Sequence, residues 1–191
     1  MEGQNTGKKR DPRITYRGEN PGRLDNLTDA VFGIAITLLI FNLIDPNSFQ
    51  DLLTFTKTLP AFFISVAFLT LIWYEHKRFS QVYGLHGPGI TFLNTIFITL
   101  VIFYVYPLRF LTLFLTNFFF RTNVKISIPG DQVPNLTIYY GLIVFALYFS
   151  LSLFYWYMHR RRNILKLNEY EIFYTKMQIQ KQVIMFFVPL V

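Results

Sequence analysis

A hydroxyl side chain stands inside an otherwise apolar stretch of this chain, and its surroundings define the first candidate chemistry. Thr37 lies in the run of residues 30–44, where Asn42 is the other polar residue. Three apolar residues at spacings of three and four share one helical stripe with it: Ile34, Leu38 and Phe41. A hydroxyl in this setting either donates to a carbonyl one turn earlier or offers its oxygen to a passing cation.

A carboxylate follows the same stretch. Asp45 precedes Pro46, and a residue before proline avoids the helical region, so the pair ends the helix. A carboxylate at the mouth of a cation path would also raise the local cation concentration. Asp45 is therefore either a helix stop or an outer-mouth residue. At the other end, Asn26 or Thr28 can cap the helix.

The resulting helix, at about 27–44, is long enough to cross a bilayer with modest tilt, which takes about 20 apolar residues. Further apolar runs of spanning length lie at about 58–74, 90–106 and 138–158. The run 183–191 is too short to cross, since nine residues cover about 13 Å. We predict an all-α integral membrane protein, a polytopic helical bundle with four complete spans and the start of a fifth.

The composition agrees with a membrane protein. Of 191 residues, 52% are hydrophobic, and 22 are Phe and 12 Tyr. The chain has no cysteine and three separated histidines, which argues against a bound metal or other cofactor. Residues 1–22 are polar and basic, and we predict a flexible cytoplasmic tail ahead of one transmembrane domain at 23–191. We also expect 111–120 to lie at the membrane interface and 163–182 to form an amphipathic helix.

A second polar group lies near the ends of the first two predicted spans. Arg23, Thr28 and Asp29 begin the first helix, and Trp73 and His76 share a face near the end of the second. Aromatic and charged residues at such a place form an ordinary interfacial belt. They could equally join the two helices through hydrogen bonds.

The first-helix residues carry a resemblance to a known family. Arg23, three variable residues, Leu27-Thr28-Asp29 and the run Ala-Val-Phe-Gly-Ile-Ala-Ile-Thr-Leu-Leu resemble the signature of the transmembrane protein 175 family of potassium channels. The family pattern has Phe-Ser-Asp where this chain has Leu27-Thr28-Asp29. The resemblance implies six spans in the full subunit and a pore lined by helix 1 from four chains.

The resemblance also implies roles for individual residues. The hydrophobic ring at the narrowest point falls on Ile34, with Leu38 and Phe41 further along, and the adjacent selectivity layer falls on Thr37. Trp73 and His76 match a polar network that reaches Arg23 and Asp29, which we expect to be structural rather than conductive. The permeant potassium ion is then the expected species near Thr37.

The distribution of basic residues predicts the orientation. Lys and Arg concentrate in the N-terminal segment, after the second span and after the fourth, whereas the opposite side carries Lys57, Arg121 and Lys125. By the positive-inside rule, the N-terminus is cytoplasmic and the protein is a multi-pass protein of the cell membrane. The net charge of +7 thus reflects topology and contact with membrane lipid, and we expect no nucleic-acid partner.

Four classes of function can be compared with the sequence: a channel, a secondary transporter, an enzyme and a non-conducting structural protein. A channel requires a lined pore, which helix 1 could supply in a homotetramer. A secondary transporter predicts ionisable groups at mid-membrane depth, and the four spans carry none there. An enzyme needs clustered reactive groups, which the histidines do not form, so we expect no enzymatic activity. A non-conducting structural protein is separable from a channel by a flux measurement.

Overall fold

The chain folds into a bundle of helices. The computed structural model describes residues 11–41, 47–120 and 128–187, and within those ranges it contains no β-strand. The helices are α1 (Arg23–Phe41), α2 (Phe49–Thr56), α3 (Leu59–Tyr83), α4 (Pro88–Phe120), α5 (Val133–Arg160) and α6 (Glu169–Phe187), with a short 3-10 turn (Gly130–Gln132) before α5. The predicted all-α fold class is confirmed.

Three of the described helices, α3, α4 and α5, are long and apolar enough to cross a membrane. They contain the predicted spans at about 58–74, 90–106 and 138–158. Helix α3 continues nine residues further than predicted, to Tyr83, so Trp73 and His76 lie well inside it. The protein is therefore a multi-pass membrane protein, and the exact number of its spans stays a prediction.

The first helix begins earlier than its capping signals indicate. It starts at Arg23, and the Asp25 carboxylate accepts a hydrogen bond from the Gly22 amide at 2.8 Å. Asp25 thus reaches back to the amide of the residue just before the helix, as an acid at the third helical position does in a capping box. Asn26 and Thr28 lie inside α1 and are not its caps. The described part of α1 ends at Phe41, so Asp45 lies outside the described residues.

Helix α4 continues through a proline at which the sequence predicts an end. Pro107 lies inside its 33 residues, and the expected interfacial segment 111–120 is the last part of the same helix. The Tyr140 hydroxyl of α5 donates to the Pro107 carbonyl oxygen at 2.8 Å. A proline removes the hydrogen bond to the carbonyl four residues earlier. The Tyr140 bond is made to the carbonyl of Pro107 itself, so it ties α4 to α5 at this point without replacing the lost bond.

Helix α6 likewise crosses a predicted boundary. It runs without a break from Glu169 to Phe187. It therefore begins six residues later than the amphipathic helix expected at 163–182 and continues into the expected fifth span at 183–191. Residues 188–191 lie outside the described ranges. One helix therefore carries both a polar half and an apolar half.

Residues 11–22, which we call the N-terminal strap, are packed onto the bundle. The Arg17 and Gly18 amides donate to the Val82 and Gln81 carbonyl oxygens at 3.2 and 3.1 Å. A Cβ on Gly18 would overlap the Ser80 carbonyl oxygen, so the close approach requires glycine. The tail predicted to be flexible is thus held against α3 over these residues, and it delivers the chain to the start of α1.

The helices meet around Phe97 of α4, whose side chain is fully buried. Its ring lies 6.2 Å from that of Phe32 in α1, 4.8 Å from that of His76 in α3 and 6.0 Å from that of Phe154 in α5. One aromatic side chain therefore sets the spacing of four helices, including the helix that carries the candidate site.

Candidate functional site

Helix α1 has two faces of opposite character. The inner face packs against α3 and α4 and consists of Thr28, Val31, Phe32, Ala35 and Leu39, all of which are buried. The outer face includes Ile34, which is 55% exposed, and Ile40, which is 44% exposed. This division follows the helical period, so the orientation of α1 is fixed by which residues it buries.

The stripe singled out from the sequence lies mainly on the outer face. Ile34 and Thr37 are exposed, whereas Leu38 is half-buried and packs against the core. Phe41 is the last residue of α1, and its side chain lies outside the described part of the structure. The structure thus turns an apolar side chain and a hydroxyl away from the subunit.

The Thr37 hydroxyl donates to the Gly33 carbonyl oxygen at 2.9 Å. This is the bond to the preceding turn that threonines in membrane helices commonly make. A hydroxyl that donates its proton keeps both oxygen lone pairs as acceptors. The local bond therefore fixes the oxygen on an exposed face while leaving it able to coordinate a cation, so the two interpretations of Thr37 are compatible.

A small residue on the outer face leaves room beside α1. A Cβ placed on Gly33 would meet no atom within 4 Å. Phe32, Gly33 and Ile36 of α1 line an apolar groove together with Leu69 and Trp73 of α3. Within one subunit, Gly33 therefore does not serve close packing, which would require a neighbour from outside the chain.

The inner face of α1 is held by a buried polar chain. The Asn94 side-chain amide of α4 donates to the Thr28 hydroxyl oxygen, and its carbonyl oxygen pairs with His76 Nε2, both at 2.8 Å. Because an amide oxygen can only accept, His76 must carry its proton on Nε2. Thr28, His76 and Asn94 are at most 3% exposed, so this chain links α1, α3 and α4 away from water.

Two carboxylates extend the support toward the start of α1. Trp73 Nε1 donates to Asp29 Oδ1 at 2.7 Å, and the Ser80 hydroxyl donates to Asp25 Oδ1. Arg23 is exposed and makes no ion pair with Asp29 among the described residues. The structure therefore places Thr28, Asp29, Trp73 and His76 together and leaves Arg23 outside this group.

Sequence reasoning missed two members of this support. Asp25 was not distinguished from its neighbours, although an acid three residues after Gly22 is a common cap. Asn94 is a polar residue inside the predicted span at about 90–106, but its partners are 66 and 18 residues away. The packing of α4 against α1 and α3 identifies Asn94, and the packing of α1 against α3 brings Ser80 to Asp25.

Replacing Asn94 by leucine is expected to destabilise the bundle by about 1–3 kcal/mol, because Thr28 and His76 would each lose a partner in a buried setting. Thermal unfolding of the detergent-solubilised protein measures the change. Thr95→Val is the matched control, since the exposed Thr95 hydroxyl bonds only the Thr91 carbonyl of its own helix. Equal melting temperatures for the two variants would contradict a connecting role for Asn94.

The described residues do not form a metal centre. In those ranges, no group of three His, Cys, Asp or Glu side chains is placed to hold a metal ion. The arrangement instead consists of an exposed stripe on α1 and a buried polar chain that fixes the helix behind it. The exposed stripe offers apolar side chains and the Thr37 hydroxyl to whatever lies outside the chain.

Comparison with known proteins places this arrangement in a family. A family model described as "Endosomal/lysosomal potassium channel TMEM175" matches residues 23–105, which include α1, α2, α3 and the first part of α4. A protein of Marivirga tractuosa named "Potassium channel" is 37% identical over 187 residues, covering 94% of this chain and 76% of that protein.

A solved structure gives the same result for the fold. The crystal structure of the potassium channel MtTMEM175, a threonine-to-alanine variant in complex with a nanobody-MBP fusion protein, matches with a TM-score of 0.87 and 35% identity. The match covers 94% of this chain and 81% of that one. The chain belongs to the TMEM175 potassium channel family, as the first-helix signature indicated.

Proposed function

We propose that this chain forms a potassium-permeable cation channel in which α1 from four copies surrounds the pore. The observation that carries the proposal is the outer face of α1, where Ile34 is 55% exposed and Thr37 is exposed. The opposite face of the same helix is buried and fixed by hydrogen bonds. In a potassium channel family, an uncovered stripe on a firmly held helix is best explained if copies of the stripe meet around one axis.

In this proposal, the apolar residues of the stripe form the gate and Thr37 forms the selectivity layer. A ring of Ile34 side chains would close the path by dewetting, with Leu38 and Phe41 extending the apolar wall. A ring of Thr37 oxygens would replace part of the hydration shell of potassium. The Thr37 hydroxyl protons already bond the Gly33 carbonyl oxygens, so the hydroxyl oxygens stay available to the ion. One hydroxyl ring is a sparser filter than stacked carbonyls, so the preference for potassium is expected to be modest.

The assembly and setting follow from the same proposal. The open space at Gly33 suits close approach by a neighbouring copy, and Asp45 would stand at the outer mouth. The protein would lie in the cell membrane with its N-terminus in the cytoplasm, as the basic residues indicate. Potassium is the permeant species, and the proposal requires no resident cofactor or enzymatic step.

Cation flux into liposomes containing the purified protein tests the proposal. We expect flux that favours potassium over sodium, a ratio that moves toward one in Thr37→Ala, and a higher rate in Ile34→Ala because the dewetted section is shortened. Thr99→Ala is the control for the first variant, since Thr99 is an exposed threonine of α4 with the same bond to its preceding turn. Ile102→Ala, also exposed on α4, controls for the second.

The possible results separate the alternatives. Flux that all four variants leave unchanged would mean a channel whose pore lies elsewhere. Absence of flux above that of empty liposomes would favour a secondary transporter or a non-conducting structural protein. Equal effects of Thr37→Ala and Thr99→Ala would remove the threonine layer from the proposal while leaving the channel.

A further inference from the structure

Three consecutive arginines end the longest apolar run of the second half of the chain. Arg160, Arg161 and Arg162, which we call the basic collar, follow the spanning segment of α5 and are all exposed. Because α5 is apolar along the preceding turns, the basic collar lies where the helix leaves the hydrocarbon. This is the depth of the lipid phosphates.

The charges of the basic collar are not neutralised by the protein. Elsewhere in the structure, basic side chains pair with acids, as Arg17 does with Glu171 and Lys181 with Glu75. Within the described ranges, no carboxylate lies within ion-pair distance of the basic collar. Its guanidinium groups are therefore available to an anion from outside the chain.

Two of these arginines rest on aromatic rings. Arg160 Cζ lies 4.4 Å from the centre of the Trp156 ring, and Arg161 Cζ lies 4.6 Å from that of Tyr157. Tyr157 is itself fixed, because its hydroxyl end packs so closely on Gly89 that a Cβ there would overlap it. Stacking occupies the face of a guanidinium and leaves its N–H groups free at the edge, where they match the oxygens of a phosphate.

Apolar side chains surround the same charges. Ile164, two residues after the basic collar, is 77% exposed, and Trp156 is 45% exposed. Phe173 on the adjacent α6 is 63% exposed. Exposed tryptophan and aliphatic groups beside arginines are typical of surfaces that enter the headgroup layer. A soluble anion would use only the charges, so these neighbours favour a lipid.

We propose that the basic collar, with its aromatic supports Trp156 and Tyr157, binds the phosphates of anionic phospholipids. Each arginine near an anionic bilayer surface contributes about fivefold to binding. The junction between α5 and α6 is thereby an anionic-lipid site of the subunit. The site requires membrane insertion of α5 and is independent of whether α1 lines a pore.

Quenching of Trp156 fluorescence tests the site. The chain has two tryptophans, so the difference between the wild type and Trp156→Phe reports Trp156. The protein in detergent is titrated with phosphatidylglycerol or phosphatidylcholine carrying bromine atoms high on the acyl chain. We expect stronger quenching by phosphatidylglycerol, about fivefold weaker apparent affinity in Arg160→Gln, and loss of the preference when all three arginines are replaced by glutamine.

Lys57→Gln is the matched control, because Lys57 is an exposed basic residue after α2 and is expected to leave the preference unchanged. Equal quenching of the wild type by the two lipids would overturn the proposal, and this comparison does not depend on any variant folding. A preference abolished by excess inorganic phosphate alone would also overturn it, since the site would then bind free phosphate rather than lipid.

Discussion

Replacing Glu171 by alanine is expected to destabilise the protein by roughly 3–5 kcal/mol, the cost of leaving one member of a buried ion pair alone. Glu171 is 1% exposed. Its two carboxylate oxygens accept from the Arg17 guanidinium at 2.9 and 3.0 Å, and from the Thr15 and Asn168 amides at 2.8 and 2.9 Å. Alanine would remove the carboxylate partner of both amides and of the guanidinium, which would keep only its bond to the Thr15 carbonyl oxygen.

The expected structural consequence is release of the N-terminal strap. Arg17 joins α6 through Glu171, while its own amide joins α3 through Val82. Hydrogen exchange of the Thr15, Arg17 and Gly18 amides should therefore accelerate in Glu171→Ala along with the fall in melting temperature. Glu169→Ala is the control, since Glu169 lies in the same first turn of α6 and is exposed. Equal losses in the two variants would contradict the assignment.

The same contact predicts an acid-sensitive attachment. Burial raises the pKa of the Glu171 carboxyl, but the hydrogen bonds from Arg17, Asn168 and Thr15 outweigh it, so the pKa lies below its ordinary value. A carboxyl with a lowered pKa in the folded state contributes stability above its unfolded pKa, about 4.3. That stability falls as the pH decreases through the folded value. The wild-type strap should loosen in that window, and Glu171→Gln should be less sensitive to pH.

Replacing Phe97 by alanine is expected to cost on the order of 3–5 kcal/mol, as for other buried phenylalanines. The ring contacts Phe32, His76 and Phe154 on three different helices, so its removal opens a cavity that no single helix can fill by shifting. In a membrane, close packing of this kind provides much of the attraction between helices. Thermal unfolding in detergent measures the loss.

Phe92→Ala is the control, because it removes an aromatic side chain from α4 without removing one from the centre of the bundle. Phe92 lies five residues earlier on α4 and is 67% exposed, so its replacement should change the melting temperature little. We further expect Phe97→Ala to alter cation flux. Phe32 of α1 would lose the ring against which it packs, and α1 would then tilt differently. A melting temperature of Phe97→Ala equal to that of Phe92→Ala would show that the four helices do not depend on this ring.

Part of the face pattern of α1 could be predicted from sequence because it depends on local spacing, whereas the choice of the exposed face came from the family resemblance. Apolar residues at helical intervals separated the stripe of Ile34 and Thr37 from the inner face, and the family signature brought Trp73 toward Asp29. The end of α4 could not be predicted in the same way. A proline usually ends or kinks a helix, whereas α4 continues through Pro107, and the Tyr140 hydroxyl that bonds the Pro107 carbonyl belongs to another helix.

The N-terminal strap was missed for a related reason. A polar, basic segment has the composition of a flexible tail, and an acid in an amphipathic helix such as Glu171 has the pattern of a solvent-exposed residue. Arg17 of the strap pairs with Glu171, which lies 154 residues later in the chain. Local composition describes each of them alone, whereas their burial depends on how α6 lies against α3 and α5.

The length of α4 limits how it can sit in a bilayer. Its 33 residues measure about 50 Å at 1.5 Å per residue, whereas the hydrocarbon layer is about 30 Å thick. Even at about 40°, the upper end of observed tilts, the helix would project about 38 Å onto the membrane normal. Some of its turns must therefore lie outside the hydrocarbon at every ordinary tilt. Phe118 and Phe119, each 70% exposed at one end, are placed to mark the depth at which α4 leaves the lipid tails.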